Sequence, residues 1–131
     1  TVDSGKQELK MAYMNQERKA ERATAIKAIL KKYGQKGSLS VRNHSTLCLK
    51  VKDTAGMFAA DFAAGTDYDR RWGLSVNPYW FEQHYAGNRK AVKMLKELTA
   101  AMYGVDYFDE SDSQTDYFHC SHYIDIDILP A

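Results

Sequence analysis

The sequence predicts an α+β domain in which an antiparallel sheet of about four strands carries two or three helices on one face, in the order α-β-β-β-α-α-β. Three observations favour this fold class. Apolar residues recur at helical spacing within residues 15–33, apolar and polar residues alternate through residues 38–52, and they alternate again from residue 116 onward. Because the predicted strands are grouped in a hairpin run, helices on one face of an α+β sheet are expected rather than an alternating α/β arrangement.

Length and composition indicate a single core. The chain has 131 residues, of which 44% are hydrophobic and 27% charged, which suits one domain and is too short for two ordinary ones. We expect residues 11–131 to form that domain, and the polar residues 1–10 to be a tag, a processing remnant or a disordered leader. Since no long apolar run or secretory pattern occurs, we expect a cytoplasmic protein with no membrane partner.

Charge is unevenly distributed along the chain. Residues 1–52 carry 12 Lys and Arg against 4 Asp and Glu, a balance of +8, whereas residues 53–131 carry 6 against 13, a balance of −7. Such segregation creates oppositely charged patches if the halves stay apart in the fold, and cancels if folding interleaves them. Both outcomes are compatible with the sequence.

The first half of the chain predicts one helix and three strands. Asn15 is placed to cap the helix and Gly34 to end it. Residues 38–43 and 46–52 predict a β-hairpin around His44 and Ser45, and residues 58–62 predict a short third strand. The residues expected to face the core from these elements are Ala23, Ile26, Leu30, Tyr33, Leu39, Val41, Leu47, Leu49, Val51, Phe58, Ala60 and Phe62.

The second half predicts a loop, two helices and a last strand. Residues 63–76 fit no period and are interpreted as a surface loop of the length that often carries function. Asn77 is expected to cap a short helix that begins at Pro78, and Asn88 to cap a second helix that ends at Gly104. The apolar stripe of this second helix is Ala91, Leu95, Leu98 and Met102.

The stretch DYFHCSHYIDIDI, residues 116–128, resembles a metal site at first sight but predicts a two-faced strand. His119 and His122 are three residues apart, so on a regular strand they point to opposite sides and cannot bind one ion together. His122 is expected to be buried and bonded to a backbone group. Cys48 and Cys120 are expected on opposite sides of the sheet, without a disulfide. We therefore predict no metal and no cofactor.

The outer face of this strand, together with that of the hairpin, is the predicted binding surface. Asp125 and Asp127 lie roughly 6.6 Å apart along the strand, a spacing that suits either paired carboxylate catalysis or ordinary cross-strand ion pairs. The mixture of basic and aromatic residues also suits single-stranded nucleic acid, although the aspartates would repel phosphate. The candidate residues are Arg42, Lys50, Lys52, Tyr117, His119, Tyr123, Asp125 and Asp127.

A second candidate binding region is acidic. The segment DESDSQTD lacks the central glycine and the distal glutamate of a calcium loop, so an acidic turn is expected instead. No recognised catalytic motif occurs elsewhere, so no catalytic residue is assigned and the sequence leans against an enzyme without deciding the question. The candidate residues of the acidic segment are Asp106, Asp109, Glu110 and Asp112.

Three segments carry a resemblance. IKAILKKYGQKGSLSVRNHSTLCLKVK, VNPYWFEQHYAG and SDSQTDYFHCSHYIDIDI, at residues 26–52, 76–87 and 111–128, resemble small uncharacterised proteins of tailed bacteriophages and mobile elements, and more distantly the domains associated with large polyvalent proteins. The resemblance implies an accessory protein in the host cytoplasm that binds and modulates a host or defence-system macromolecule without catalysis, and whose acidic segment could compete for a basic nucleic-acid groove. Single-stranded nucleic acid remains the alternative partner, and an enzyme using Asp125 and Asp127 the second alternative.

Overall fold

In the computed structural model, which describes residues 14–104 and 122–131, a four-stranded sheet in the order β1-β2-β4-β3 carries helices on one face. The helix α1 packs against β1 and against α5, and α5 in turn packs against β4. The elements in chain order are α1 (Gln16–Lys32), β1 (Lys36–Arg42), β2 (Thr46–Lys52), α2 (Ala59–Ala64), α3 (Asp67–Trp72), β3 (Leu74–Val76), α4 (Phe81–His84), α5 (Arg89–Tyr103) and β4 (Tyr123–Leu129).

The sheet is mixed, so the prediction of an antiparallel sheet is wrong for one pair of strands. β1 pairs antiparallel with β2, and β3 with β4, but β2 and β4 run parallel with Thr46 opposite Tyr123. The reason lies in where α5 ends. His122, just before β4, lies against Met102 in the last turn of α5, and Tyr123 bonds to the hairpin loop at Ser45. β4 therefore starts at the end of the sheet where β2 also starts.

The predicted helix and hairpin of the first half are confirmed. The Asn15 side chain accepts a hydrogen bond from the main-chain N–H of Arg18 at 2.8 Å, and α1 ends just before Gly34, whose φ is +71°. Gly37 is required by close packing, because a Cβ there would lie 2.9 Å from both Leu30 Cδ1 and the main-chain oxygen of Lys50. The hairpin strands meet at a loop of residues 43–45.

The predicted third strand at residues 58–62 is wrong, because residues 59–64 form α2. Phe58 and Phe62 fit the alternation of a strand, but they are also four residues apart and so lie on the same side of a helix. Both rings are buried in the core. The loop between β2 and α2 is organised by Asp53, whose carboxylate accepts hydrogen bonds from the main-chain N–H groups of Met57 and Phe58 at 2.9 and 2.8 Å.

The predicted surface loop at residues 63–76 is also wrong, since it contains α3 and β3. Thr66 and Asp69 form a reciprocal capping box in which each side chain accepts a hydrogen bond from the other residue's main-chain N–H, at 3.2 and 3.0 Å. Gly73, with φ at +106°, turns the chain into β3, and a Cβ there would lie 2.7 Å from the main-chain oxygen of Ile128. The structure thus has an edge strand in a segment whose sequence shows no hydrophobic periodicity.

The last two helices agree largely with prediction. Asn77 caps a turn by accepting from the main-chain N–H groups of Tyr79 and Trp80 at 2.8 and 3.2 Å, but the short helix begins at Phe81 rather than at Pro78. Asn88 caps α5 by accepting from Ala91, and Gly104 ends it, as predicted. The predicted apolar stripe of α5 is fully buried.

The core lies between the helices and one face of the sheet. Ile124, Ile126 and Ile128 of β4 point into it, as the alternation predicted, and each such burial contributes about 1.5–3 kcal/mol. The rest of the core comes from the stripes of α1 and α5, the hairpin, and Phe58, Phe81 and Tyr85. Within the described residues, no helix combines the length and the apolar character needed to cross a membrane.

Candidate functional site

One face of the sheet carries no helix in the described part of the chain, and we call it the open face. Its β1–β2 half is basic and hydroxyl-bearing, and its β4 half is acidic. The side chains of the whole open face form four rows across the strands. From one end to the other, these rows are Arg42, Thr46 and Tyr123; Ser40, Cys48 and Asp125; Ser38, Lys50, Asp127 and Ser75; and Lys36, Lys52 and Leu129.

A cross-strand ion pair links the two halves of the open face. Arg42 Nη1 lies 3.0 Å from Asp125 Oδ2, with both side chains partly exposed to solvent. Arg42 reaches across β2 to make this contact, because β2 lies between β1 and β4. The pair was one of the two interpretations offered for Asp125, and exposed pairs of this kind contribute about 0–1 kcal/mol to stability.

Asp127 and Cys48 occupy the centre of the open face and are largely shielded from water. Burial raises the pKa of Asp127, and the carboxylate of Asp125 raises it further, while Lys50 and Arg42 oppose the rise. Burial likewise raises the pKa of the free thiol of Cys48. A thiol held in its neutral form is a poor nucleophile. Cys48 therefore packs between the row that contains Arg42 and the row that contains Lys50 and Asp127.

The carboxylates of Asp125 and Asp127 are thus unlike each other. Asp125 accepts a hydrogen bond from Arg42, whereas Asp127 is half-buried next to Lys50 and has a raised pKa. Two carboxylates in different environments can divide acid and base roles, so the enzyme alternative keeps a structural basis. Within residues 14–104 and 122–131, no group of three or more His, Cys, Asp or Glu side chains could hold a metal ion.

The structure brings most of the predicted outer-face residues together. Arg42, Lys50, Lys52, Tyr123, Asp125 and Asp127 all lie on the open face, and Tyr123 is 45% exposed. Tyr117, His119 and Cys120 lie outside the described residues. The four residues of the acidic segment, Asp106, Asp109, Glu110 and Asp112, also lie outside them.

His122 has the structural role that the sequence predicted. Its ring is fully buried, and Nε2 lies 2.9 Å from the main-chain oxygen of Met102. Nδ1 lies 3.4 Å from Nη2 of Arg18, which can only donate, so Nδ1 accepts and Nε2 carries the proton toward Met102. His122 joins β4 to α1 and α5 and does not face the open surface.

A second candidate region, which the sequence did not predict, comprises four exposed aromatic side chains that precede and follow β3 along the chain. Tyr68 and Trp72 lie one helical turn apart on α3, before the strand, and Tyr79 and Trp80 lie in the capped turn after it. All four are between 56% and 69% exposed. We call Tyr68, Trp72, Tyr79 and Trp80 the aromatic rim.

One sequence signal could have located the aromatic rim. The letters TDYD at residues 66–69 match a capping box, which predicts a helix start and places Tyr68 and Trp72 on one helical face. Trp80 is a neighbour of Phe81 and Tyr85 in sequence, but only Phe81 and Tyr85 are buried. Burial of neighbouring aromatics in a four-residue helix depends on its orientation, which no local pattern encodes.

Comparison with known proteins adds no assignment to these two surfaces. No protein-family model matches the chain, and neither a curated protein nor a solved structure matches it.

Proposed function

We propose that this protein is a non-catalytic binding module whose aromatic rim contacts a partner protein. In keeping with the resemblance of its sequence, the partner is a host or defence-system protein, which the bound module modulates on behalf of a bacteriophage or mobile element. The observation that carries the proposal is the aromatic rim itself, in which four large aromatic side chains within 13 residues are more than half exposed.

Packing in the core does not account for the rim, because its four rings remain more than half exposed. α3 has no buried residue, so its two aromatic rings contribute nothing to the core. Tyr and Trp are enriched among the residues that dominate protein interfaces, because each buries a large rigid surface on binding and loses little conformational entropy. A partner protein would supply the surface that these rings lack in the isolated chain.

Polar contacts hold the rim in position. α3 is fixed by its capping box and by Arg70, whose Nη1 donates to the main-chain oxygens of Phe62 and Gly65 at 3.1 and 2.9 Å. The turn that carries Tyr79 and Trp80 is fixed by Asn77. Because the backbone beneath the rings is already ordered, binding costs less entropy than it would for a flexible loop.

The strand between the two aromatic pairs offers a further attachment point. β3 is at one end of the strand order, so among the described residues its outer edge has no neighbouring strand. An edge strand presents main-chain donors and acceptors that an extended segment of another protein can pair with. In this arrangement, the aromatic pairs would contact the partner at both ends of the added strand.

The proposal is tested with purified tagged protein in a host lysate treated with nuclease. The wild type is compared with the double variant Trp72→Ser, Trp80→Ser and with Tyr123→Ser, which removes an exposed aromatic ring outside the rim. We expect a stoichiometric partner that is retained by the wild type and by Tyr123→Ser and lost by the double variant.

The partner is then purified, and its affinity is measured by titration calorimetry. Since hot-spot residues contribute 2 kcal/mol or more, the double variant should bind at least about 30-fold more weakly than the wild type. Equal affinity of the double variant and the wild type would show that the rim is not the binding surface. Circular dichroism of the double variant checks that it is folded, as expected for residues that lie outside the core.

A further inference from the structure

The β1–β2 half of the open face carries four cations and no acid. Lys36 and Arg42 come from β1, and Lys50 and Lys52 from β2. Arg42 is neutralised by Asp125. The other three are exposed, and in the described parts of the chain none of them has an ion-pair partner; we call Lys36, Lys50 and Lys52 the lysine triad.

The placement of the triad is unfavourable for the isolated fold. Lys36 lies directly opposite Lys52 in the strand register, on the same face of the sheet. Like charges directly opposite each other on neighbouring strands destabilise a sheet. Lys50 is two residues from Lys52 on the same strand, which adds a third positive charge about 6.6 Å away.

The nearest acids compensate this repulsion only in part. Asp53 follows Lys52 in sequence, but its buried carboxylate accepts from Gln35 and from main-chain N–H groups instead. Asp127 lies opposite Lys50 in the strand register and attracts it, but Asp127 is half-buried and makes no salt bridge with Lys50. An anionic ligand would compensate the triad further.

The shape of the β1–β2 half of the open face suits a chain of anions better than a single anion. Ser38 and Ser40 occupy the positions between the cations on β1 and are exposed, so this strip carries small hydroxyl-bearing side chains between its charges. From the row of Lys52 to the row of Thr46 and Tyr123, the strip is about 20 Å long. Tyr123 stands at the far end with an exposed ring.

We propose that the β1–β2 half of the open face binds single-stranded nucleic acid, with the lysine triad contacting backbone phosphates and Tyr123 stacking on a base. A sheet face with cations and an exposed aromatic ring suits an unpaired strand, whose bases are free to stack. Asp125 and Asp127 on β4 repel phosphate, so the nucleic-acid strand lies along the basic half and reaches β4 only at Tyr123. This activity is separate from partner binding at the aromatic rim, whose residues precede and follow the opposite edge strand, β3.

The test is fluorescence anisotropy with labelled 15-nucleotide DNA and RNA strands at 50 and 200 mM salt. The triad variant Lys36→Gln, Lys50→Gln, Lys52→Gln is compared with a matched control, Lys27→Gln, Lys31→Gln, Lys93→Gln, which removes the same charge from exposed positions on α1 and α5. Each phosphate contact contributes about −0.7 to the slope of log K against log salt. Because the triad makes three phosphate contacts, we expect the slope of the triad variant to be smaller in magnitude by about 2. The control should retain the wild-type slope.

Two outcomes would overturn the proposal. The first is equal binding by the triad variant and the control, because this would mean that only net charge matters. The second is that a polyglutamate peptide of equal length binds as tightly as the nucleic acid and is lost with the same lysines, which would assign the surface to an acidic protein. Replacing Tyr123 by Ser tests the stacking contact separately, and should weaken binding without changing the salt slope.

Discussion

Arg22 Nε donates a hydrogen bond of 3.0 Å to the main-chain oxygen of Met102, so that a buried guanidinium on α1 closes the carboxyl end of α5. The same guanidinium donates through Nη2 to the main-chain oxygen of Tyr103 at 2.9 Å. It also lies where a side chain at Gly104 would be, since a Cβ there would be 2.5 Å from Nη2. Arg22 therefore donates to two carbonyls at the end of α5, and the Met102 carbonyl also lies 2.9 Å from His122 Nε2.

Replacing Arg22 by Lys should destabilise the fold although the charge is kept. An ammonium group cannot reproduce the planar fork that reaches two carbonyls at once, and hydrogen bonds to charged groups contribute about 1.5–3 kcal/mol each. We expect a loss of roughly 2–4 kcal/mol in the free energy of unfolding, measured by urea titration. The exposed substitution Arg71→Lys is the control, and a similar loss in both variants would contradict this role of Arg22.

Gly104→Ala should also destabilise the protein. The residue has φ at +80° and its Cβ would collide with the Arg22 guanidinium. A substitution that conflicts with the native backbone costs about 1–3 kcal/mol. The same change at Gly87, where a Cβ would meet nothing within 4 Å, is the matched control in the urea titration. Equal midpoints for the two variants would show that the close approach of Arg22 is not restrictive.

Asp53→Ala should lower the free energy of unfolding by roughly 2–3 kcal/mol. The buried carboxylate accepts from Gln35 Nε2 at 2.8 Å and from the main-chain N–H groups of Met57 and Phe58, and all three donors would lose their acceptor. Asp53→Asn keeps one oxygen and should fall between the wild type and Asp53→Ala. The exposed residue Asp67 provides the control substitution Asp67→Ala. An Asn variant as unstable as the Ala variant would argue against hydrogen bonding as the cause.

Stability should fall steeply in alkali because of Tyr33. Burial, together with the hydrogen bond that its hydroxyl donates to Glu97, raises the pKa of Tyr33 from 10.0 to about 12. A group whose pKa is raised by folding contributes stability that is complete below its unfolded pKa and is lost as the pH rises through the folded value. The wild type should therefore lose stability between pH 10 and 12. Tyr33→Phe should show a shallower decline in urea titrations across this range, and parallel curves would contradict the prediction.

Asp127→Asn should stabilise the protein at neutral pH. Because burial and the neighbouring Asp125 raise the pKa of Asp127, the folded state disfavours its ionised form, and stability is lost as the pH rises through the raised pKa. The Asn variant should thus have a higher Tm than the wild type at pH 7 and an equal Tm at pH 3. The control Ser75→Ala removes the hydroxyl group opposite Asp127 in the register without changing the charge.

The behaviour of Asp127 also bears on the enzyme alternative. A residue that destabilises the fold at neutral pH is often kept for function. If the double variant Asp125→Asn, Asp127→Asn abolishes an activity while remaining folded, the carboxylate pair is catalytic. A variant that is more stable and retains full partner and nucleic-acid binding is the result expected of a binding module.

Local rules predict the helix starts correctly. Asn15 and Asn88 are caps because a side-chain oxygen before an amphipathic stretch bonds to the first free N–H groups of the helix. Between residues 58 and 76, local patterns predict the wrong elements. There, the spacing of Phe58 and Phe62 fits a strand and a helix equally well. The three residues of β3 are too few to show an alternation of apolar and polar residues.

For the strands that the sequence predicts, alternation alone assigns each residue to one side, because side chains alternate strictly along a strand. Ile124, Ile126 and Ile128 are therefore assigned to the core, and Asp125 and Asp127 to the outer face. The fold, in contrast, sets which strands are neighbours, in which direction β4 runs, and that Lys36 faces Lys52 while Arg42 reaches Asp125. These pairings depend on where α5 ends against α1, a contact between residues some 80 positions apart, which no local pattern in the sequence records.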